Sequence, residues 1–312
     1  MDAIDISIVI PTLNEERNIS ETLSGVLNQV RNVELANGRK LSVNLEIIVI
    51  DSGSTDRTVE IVREFQRRYS NIKLVTLNFF HHSLTRNLGA KLSGGEIIVF
   101  LNADARPANN MWLANLVKPV LSVAEASFSR QVPKDKLFHF EYFRILASYP
   151  HESSIINRKN YASFVMKHGV LFSTVSCAIR RDIFFELGGF DPKVPINEDL
   201  EFAIKLLKRN LKIAYVAEST VEHSHFLGRL DVTKRYFKFG LGQSVIRRIH
   251  KDFPLKSGIK LLVRILRLLP HQIQSGALKY RRHLLVEFVD LLLLLFMASL
   301  AFILGSKLVR TR

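Results

Sequence analysis

Two apolar runs in this chain stop at a carboxylate set in a turn of small residues: LEIIVIDSGSTD at residues 45–56 and EIIVFLNADA at residues 96–105. A short β-branched run reads as a strand buried on both faces, and such strands belong to sheets covered by helices. Open α/β sheets bind ligands just outside the carboxyl ends of their strands. Two carboxylates delivered to that edge predict a site for a polar ligand that carries phosphates and a metal.

The same pattern organises the N-terminal part of the chain. Residues 6–10 read as a strand closed by Pro11 and Thr12, and Asn14, Glu15 and Glu16 open a helix that runs to residue 29. Residues 31–44 read as a polar connection. Strands at 45–50, 72–77 and 97–101 then alternate with helices at 55–69, 84–92 and 107–121. That alternation predicts an α/β fold with a mostly parallel sheet and helices on both faces. From Ser127 the pattern loosens, and residues 131–169 are aromatic and basic with weak periodicity. A strand at 172–179, a helix at 181–187, a Gly188-Gly189 turn, a helix at 198–209 and a strand at 212–216 follow.

Charge separates the C-terminal end from the rest. The net charge is +15, but residues 228–312 hold 17 Lys and Arg against 4 Asp and Glu, while the first 227 residues hold 27 against 25. Lys256, Lys260, Arg264 and Arg267 recur at helical spacing among leucines, which predicts a basic amphipathic helix over 256–274. Residues 284–305 are almost wholly apolar, with Glu287 and Asp290 near the start and an uninterrupted stretch only over 291–305. Such segments predict membrane contact, spanning or interfacial, with a buried helix pair as the competing reading. The tail is too apolar for a nucleic-acid partner. A single cysteine, Cys177, excludes an internal disulfide framework and fits a reducing compartment. No signal peptide is read at the acidic first five residues.

Several residues are candidates for chemistry, each with a plainer role beside it. Asp51, with Ser52 and the neighbouring Pro11-Thr12 pair, forms either a ligand pocket or a simple turn. Asn102 and Asp104, two apart at a strand end, point the same way and offer oxygen ligands to Mg²⁺, or else make a turn before Pro107. Glu198 and Asp199 either complement a helix dipole or supply a general base. Arg86 either neutralises phosphate or lies on a solvated helix face. His223 and His225 alternate, so they face opposite sides if extended; one completes a metal site or contacts a pyrophosphate, or both are structural.

The order of these segments is more specific than any one of them. SIVIPTLNEERNI, IIVIDSGSTDRTVEI, TRNLGAKLSGGEIIVFLNAD, ELGGFDP, NEDLEFAIKLLKRN and VEHSH together resemble the inverting family 2 glycosyltransferases over residues 6–243. Residues 129–150 and 221–240 resemble the rhamnosyltransferase-like branch. The resemblance implies a GT-A fold, with a Rossmann-like, mostly parallel sheet. Its expected parts are a nucleotide-sugar-binding half at 1–125, an acceptor-binding half carrying the base at 126–243, and membrane-associated helices at 244–312.

By the same resemblance Thr12, Glu15 and Asp51 surround the nucleoside, and Asp199 is the catalytic base. Asp104 holds a divalent metal (Mg²⁺ or Mn²⁺), with His225 as a further metal or diphosphate contact. Pro11, Ser52, Arg86, Asn102 and Glu198 complete the expected nucleotide-sugar contacts. Asn102 stands where the family has the first carboxylate of its Asp-x-Asp motif, so this site carries less charge. The implied partners are a nucleotide-diphosphate sugar (dTDP-rhamnose for the narrower branch), a glycan or lipid-linked acceptor hydroxyl, and an anionic membrane surface. The implied setting is cell-envelope polysaccharide synthesis, with the catalytic domain on the cytoplasmic side of the membrane. A dinucleotide-dependent oxidoreductase is excluded, because the turn after the first strand reads Pro-Thr-Leu-Asn-Glu, without Gly-x-Gly-x-x-Gly. A non-catalytic membrane-assembly scaffold on the same fold is the alternative. The joint presence of Asp51, Asp104 and Asp199 argues against it.

Overall fold

The computed structural model describes residues 2–134, 140–223, 229–254, 300 and 303–304. In chain order the elements are β1 (Asp2–Thr12), α1 (Ile19–Leu27), β2 (Asn32–Glu34), β3 (Lys40–Asp51), α2 (Thr58–Arg68), β4 (Ile72–Thr76), α3 (His82–Leu92), β5 (Ile97–Leu101), β6 (Arg106–Pro107) and α4 (Trp112–Val117). They continue as β7 (Ala126–Val132), α5 (Phe140–Ser148), β8 (Ser154–Ile156), α6 (Tyr161–His168), β9 (Ser176–Arg180), α7 (Arg181–Glu186), α8 (Glu198–Lys208), β10 (Ile213–Glu222) and α9 (Arg229–Ile249).

The chain divides into two compact units. One comprises Met1–Val132, His151–Tyr161 and Leu171–His223; the other comprises Pro133–Pro150, Ala162–Val170 and Ser224–Arg312. The first holds the sheet, in the order β2-β3-β1-β5-β9-β7-β10-β6, with β4 also paired to β3 and β8 to β10. In the second, α9 carries Lys234, Arg235, Lys238, Arg247 and Arg248.

The central strands are buried on both faces because each face has its own cover. On one face Ile4, Ile6, Ile8 and Ile10 of β1 and Val99 and Leu101 of β5 share a core with Ile19, Leu23 and Val26 of α1 and with Trp112, Leu113 and Leu116 of α4. On the other, Phe100 of β5 meets Phe184 and Phe190 at 5.5 and 5.2 Å, and Phe202 of α8 closes on both rings. Full burial of one such side chain is worth roughly 1.5–3 kcal/mol. Helix α3 lies so close to β1 that a Cβ on Gly89 would fall 2.2 Å from Val9.

The structure corrects the expected sheet. β1, β3, β4 and β5 are parallel, as are β7 and β10, but β9 runs antiparallel between β5 and β7, and β2, β6 and β8 are antiparallel too. The sheet is therefore mixed. Strand direction is set by the path of the connections, which hydropathy does not record. The supposed polar connection contains β2 and the first turns of β3, where Leu41, Val43 and Leu45 alternate inward. The helix expected at 107–121 shrinks to α4, because Arg106 and Pro107 pair with Glu222 and Val221. β7 (ASFSRQV) lies where the pattern loosens; its inward positions are partly serines, whose hydroxyls are satisfied internally. β10 runs on past Val216 through an irregularity to Glu222. The helices expected at 256–274 and 284–305 lie outside the described residues, and among the described residues no helix is long and apolar enough to cross a membrane.

Candidate active site

The carboxyl ends of β1, β3 and β5 form one edge. Thr12 is in register with Asp51, and the Ser52 amide donates to the Thr12 carbonyl at 2.9 Å. The Asp51 carboxylate accepts the Gly53 and Ser54 amides, both at 3.0 Å, and the Ser54 hydroxyl. Asp51 is thus a turn-forming aspartate whatever else it binds, and Gly53 takes a left-handed φ of +93° to allow it.

The loops after β1 and β3 are tied to each other. The Asn14 amide donates to Ser54 Oγ at 2.8 Å, and Asn14 Oδ1 accepts the Thr55 amide at 2.9 Å. The Glu15 amide donates to Thr58 Oγ1 at 2.7 Å and the Glu16 amide to Asp56 Oδ2 at 3.1 Å. Between these locked loops the Thr12 and Ser52 hydroxyls are buried without a hydrogen-bond partner among the described residues. Buried hydroxyls are seldom left unpaired, so these two can each take a hydrogen bond from outside the chain.

At the end of β5, Asn102 is held from two sides. Its amide nitrogen donates to the Val175 carbonyl at 2.9 Å, and its side-chain oxygen accepts Arg86 Nη2 at 2.8 Å. The other terminal nitrogen of Arg86 lies 3.3 Å from Glu198 Oε1 and 3.1 Å from the His82 carbonyl. Both charged side chains of this ion pair are only 6% exposed. Arg86 and Glu198, both expected among the donor contacts, are thus paired with each other. They neutralise each other in the interior, behind the sheet edge, and Asn102 shares its oxygen with Arg86.

Asp104 and His223 form a second pair, with Oδ2 and Nε2 3.5 Å apart. The far nitrogen of that ring, Nδ1, lies 3.0 Å from Gln131 Oε1, and Gln131 Nε2 donates to Ser173 Oγ at 3.0 Å. His225, the histidine expected at the metal, lies outside the described residues. His223 reaches this place because its amide donates to the Val132 carbonyl, which extends the pairing of β10 with β7 by one residue.

Asp199 begins α8 beside Glu198. It accepts the Leu200 amide at 2.8 Å and is partly open to solvent. Burial of its carboxylate, and then the adjacent charge of Glu198, raise its pKa from 3.8 to about 7; the Leu200 amide, Arg86 and the Thr174 amide only partly oppose them. Asn197, just before it, adopts a left-handed φ of 69°, a conformation that Asn tolerates better than most residues. Gly188 and Gly189 serve a neighbouring purpose. Gly189 has φ +65°, and a Cβ there would lie 2.8 Å from Asn87 Oδ1, so the turn closes onto α3 rather than onto a ligand.

The expected residues Pro11, Thr12, Asp51, Ser52, Asn102 and Asp104 thus lie on one sheet edge. Glu15 is in the loop that follows β1, its carboxylate accepting Asn18 Nδ2 at 2.7 Å. Residues 173–175 connect the rest. Ser173 supports Gln131, Thr174 contacts Glu198 at 3.3 Å, and Val175 holds Asn102. Gln131, in the segment at 129–150, and Ser173 and Thr174, in the strand expected at 172–179, have no site role in the sequence reading.

The fold is of the GT-A type, and the family match makes the protein a sugar-transferring enzyme. The chain belongs to glycosyl transferase family 2, whose model matches residues 7–188. Within the family it is of the rhamnosyltransferase-like branch. It is 29% identical over 255 residues to the O-antigen chain rhamnosyltransferase RfbN of Salmonella typhimurium, covering 80% of this chain and 75% of that one. It is 30% identical over 214 residues to the O-antigen chain rhamnosyltransferase WbaN of Salmonella anatum, covering 67% of this chain and 65% of that one. Among solved structures it resembles a mannosyltransferase from Pyrobaculum calidifontis in complex with GDP-Man and Mn²⁺. There the TM-score is 0.62 and the identity 18%, over 96% of this chain and 88% of the other.

Proposed function

We propose that this glycosyltransferase moves a sugar, with inversion, from a nucleotide-diphosphate donor to a hydroxyl of a glycan or lipid-linked acceptor. The observation that carries this is Asp199, a partly open carboxylate whose surroundings hold it basic near neutral pH. In the reaction Asp199 takes the proton of the acceptor hydroxyl as that oxygen bonds to the anomeric carbon. The bond from that carbon to the diphosphate breaks on the opposite face, and the nucleoside diphosphate leaves. One displacement inverts the centre, so no carboxylate nucleophile is required. Thr12, Ser52 and Asp51 hold the nucleoside, and the locked loops keep that pocket formed before the donor arrives.

A divalent cation fits Asp104 and His223. A carboxylate oxygen and an imidazole nitrogen 3.5 Å apart suit Mg²⁺ or Mn²⁺, which commonly take few protein ligands and complete their shell with phosphate oxygens and water. When bound, such an ion supplies positive charge to the departing diphosphate. The Asn102 oxygen is shared with Arg86, which leaves it a weaker ligand than the carboxylate of Asp104. The two relatives, both O-antigen chain rhamnosyltransferases, favour rhamnose as the sugar, with dTDP-rhamnose as the expected donor, and a polysaccharide chain as acceptor.

The test is transfer from dTDP-rhamnose, UDP-glucose and GDP-mannose to a polyprenyl-diphosphate-linked sugar, with the anomeric configuration of the product read by NMR. A product that retains the donor configuration would sink the single-displacement mechanism. Asp199→Asn is expected to abolish transfer and keep nucleotide binding; full transfer by that variant would show the assignment of Asp199 as base to be wrong. The basic and apolar C-terminal segments support association with anionic membrane from the cytoplasmic side. Replacing Lys256, Lys260, Arg264 and Arg267 by Glu is expected to release the full-length protein from phosphatidylglycerol vesicles in a sedimentation assay.

A further inference from the structure

We propose that Gln131 is a positioning residue that fixes the tautomer of His223, so that the ring presents a lone pair, together with Asp104, to a divalent cation. This rests on the metal reading above and adds to it a residue of β7 that has no role in the sequence reading. Gln131 is 3% exposed, and its amide has two distinguishable ends. Its nitrogen donates to Ser173 Oγ, an oxygen that also faces the Val175 amide at 3.4 Å. The other end, Oε1, can only accept, and it faces His223 Nδ1 at 3.0 Å. With that acceptor in place, a neutral ring carries its proton on Nδ1. A neutral ring protonated there has its lone pair on Nε2, and Nε2 is the atom that faces Asp104 Oδ2 at 3.5 Å. Metal-bound imidazoles usually donate their remote N–H to an oxygen acceptor, and loss of that acceptor weakens metal binding about 10–100-fold. Gln131 supplies the acceptor, with its amide nitrogen held by Ser173 Oγ.

The experiment uses the full chain in mild detergent, selectively ¹⁵N-labelled at histidine, at pH 8, where an ordinary imidazole is neutral. Long-range ¹H–¹⁵N spectra of the metal-free protein, with the His223 signals identified by their loss in His223→Gln, read the tautomer directly. The expected result is Nδ1–H in the wild type and a mixed or Nε2–H ring in Gln131→Met. Mn²⁺ affinity, measured by electron paramagnetic resonance with and without UDP, is expected to weaken about 10–100-fold in Gln131→Met. It should be largely kept in Gln131→Glu, which still accepts from Nδ1. Circular dichroism melting identifies any variant that does not fold, and the wild-type tautomer decides the matter if both fail. A wild-type ring protonated on Nε2, or unchanged Mn²⁺ affinity in a folded Gln131→Met, overturns the proposal. If the wild type binds no Mn²⁺, the metal reading itself falls; the metal-free spectra tell that failure apart from a failure of Gln131.

Discussion

Asp199 and Arg86 carry opposite risks for the molecule. Asp199 is a carboxylate whose folded pKa is raised, first by burial and then by Glu198. The folded state therefore prefers it protonated. The stability this gives is complete below its ordinary value of 3.8 and is lost as pH rises through about 7. Asp199→Asn mimics the protonated form at every pH. Its melting temperature is expected to exceed that of the wild type at pH 8 and to match it near pH 4, as scanning calorimetry would show. Activity runs the other way: the turnover rate should fall as pH drops below about 7, because the base is then occupied by a proton. A pH–rate profile flat between 5 and 8 would falsify the assignment of Asp199 as base. Arg86 shields a buried partner, so Arg86→Met leaves the Glu198 charge uncompensated and is expected to cost about 3–5 kcal/mol in urea unfolding. Adding Glu198→Gln to that variant should restore much of the loss, and a double variant no more stable than the single one would deny that the ion pair is the reason. Cys177 has no comparable role, since complete burial pushes its thiol up and leaves it inert.

At the scale of elements, the site depends on close approach between α3 and its neighbours. Asn87 of α3 grips the turn after α7, donating to the Phe190 carbonyl at 2.8 Å and accepting the Phe190 amide at 3.0 Å. That grip orients the chain leading to Glu198 and Asp199. Gly189→Ala would put a Cβ 2.8 Å from Asn87 Oδ1 at a φ of +65°, so a loss of about 1–3 kcal/mol in chemical unfolding is expected, with turnover falling more than donor affinity. Equal loss of turnover and donor affinity would show that the turn does not serve the base. The elements that sequence reading placed well (β1, the end of β3, β5 and α8) have continuous apolar runs or helical periodicity bounded by polar or turn residues. β7 was missed, and with it Gln131, because its buried positions are largely polar. No hydropathy pattern marks a serine whose hydroxyl is satisfied inside. The extension of β10 to Glu222 was missed for a related reason: Glu218, Ser219 and Thr220 interrupt the apolar run at the irregularity.

At the scale of the sheet-bearing unit, a knot of hydroxyls joins early and late parts of the chain. The indole N–H of Trp112 in α4 meets Ser176 Oγ of β9 at 2.9 Å and Ser129 Oγ of β7 at 3.2 Å, and Ser129 and Ser219 are 2.9 Å apart. Ser129→Ala leaves buried partners unsatisfied and is expected to cost about 1–3 kcal/mol in denaturant unfolding. Trp112 is the only tryptophan, so its emission follows the unfolding directly, and an unchanged midpoint would show the knot to be dispensable. The sequence alone determined that an α/β sheet would deliver Thr12, Asp51, Asn102 and Asp104 to one edge. It did so because β-branched runs ended by polar turns have few other ways to bury themselves. It also determined the family, through the order of its motifs. The tertiary structure alone decided that β9 runs antiparallel into the sheet, that Arg86 neutralises Glu198 and shares the oxygen of Asn102, and that His223 meets Asp104 with Gln131 behind it. These are contacts between residues far apart in the chain, set by strand direction and register, and local sequence pattern records neither.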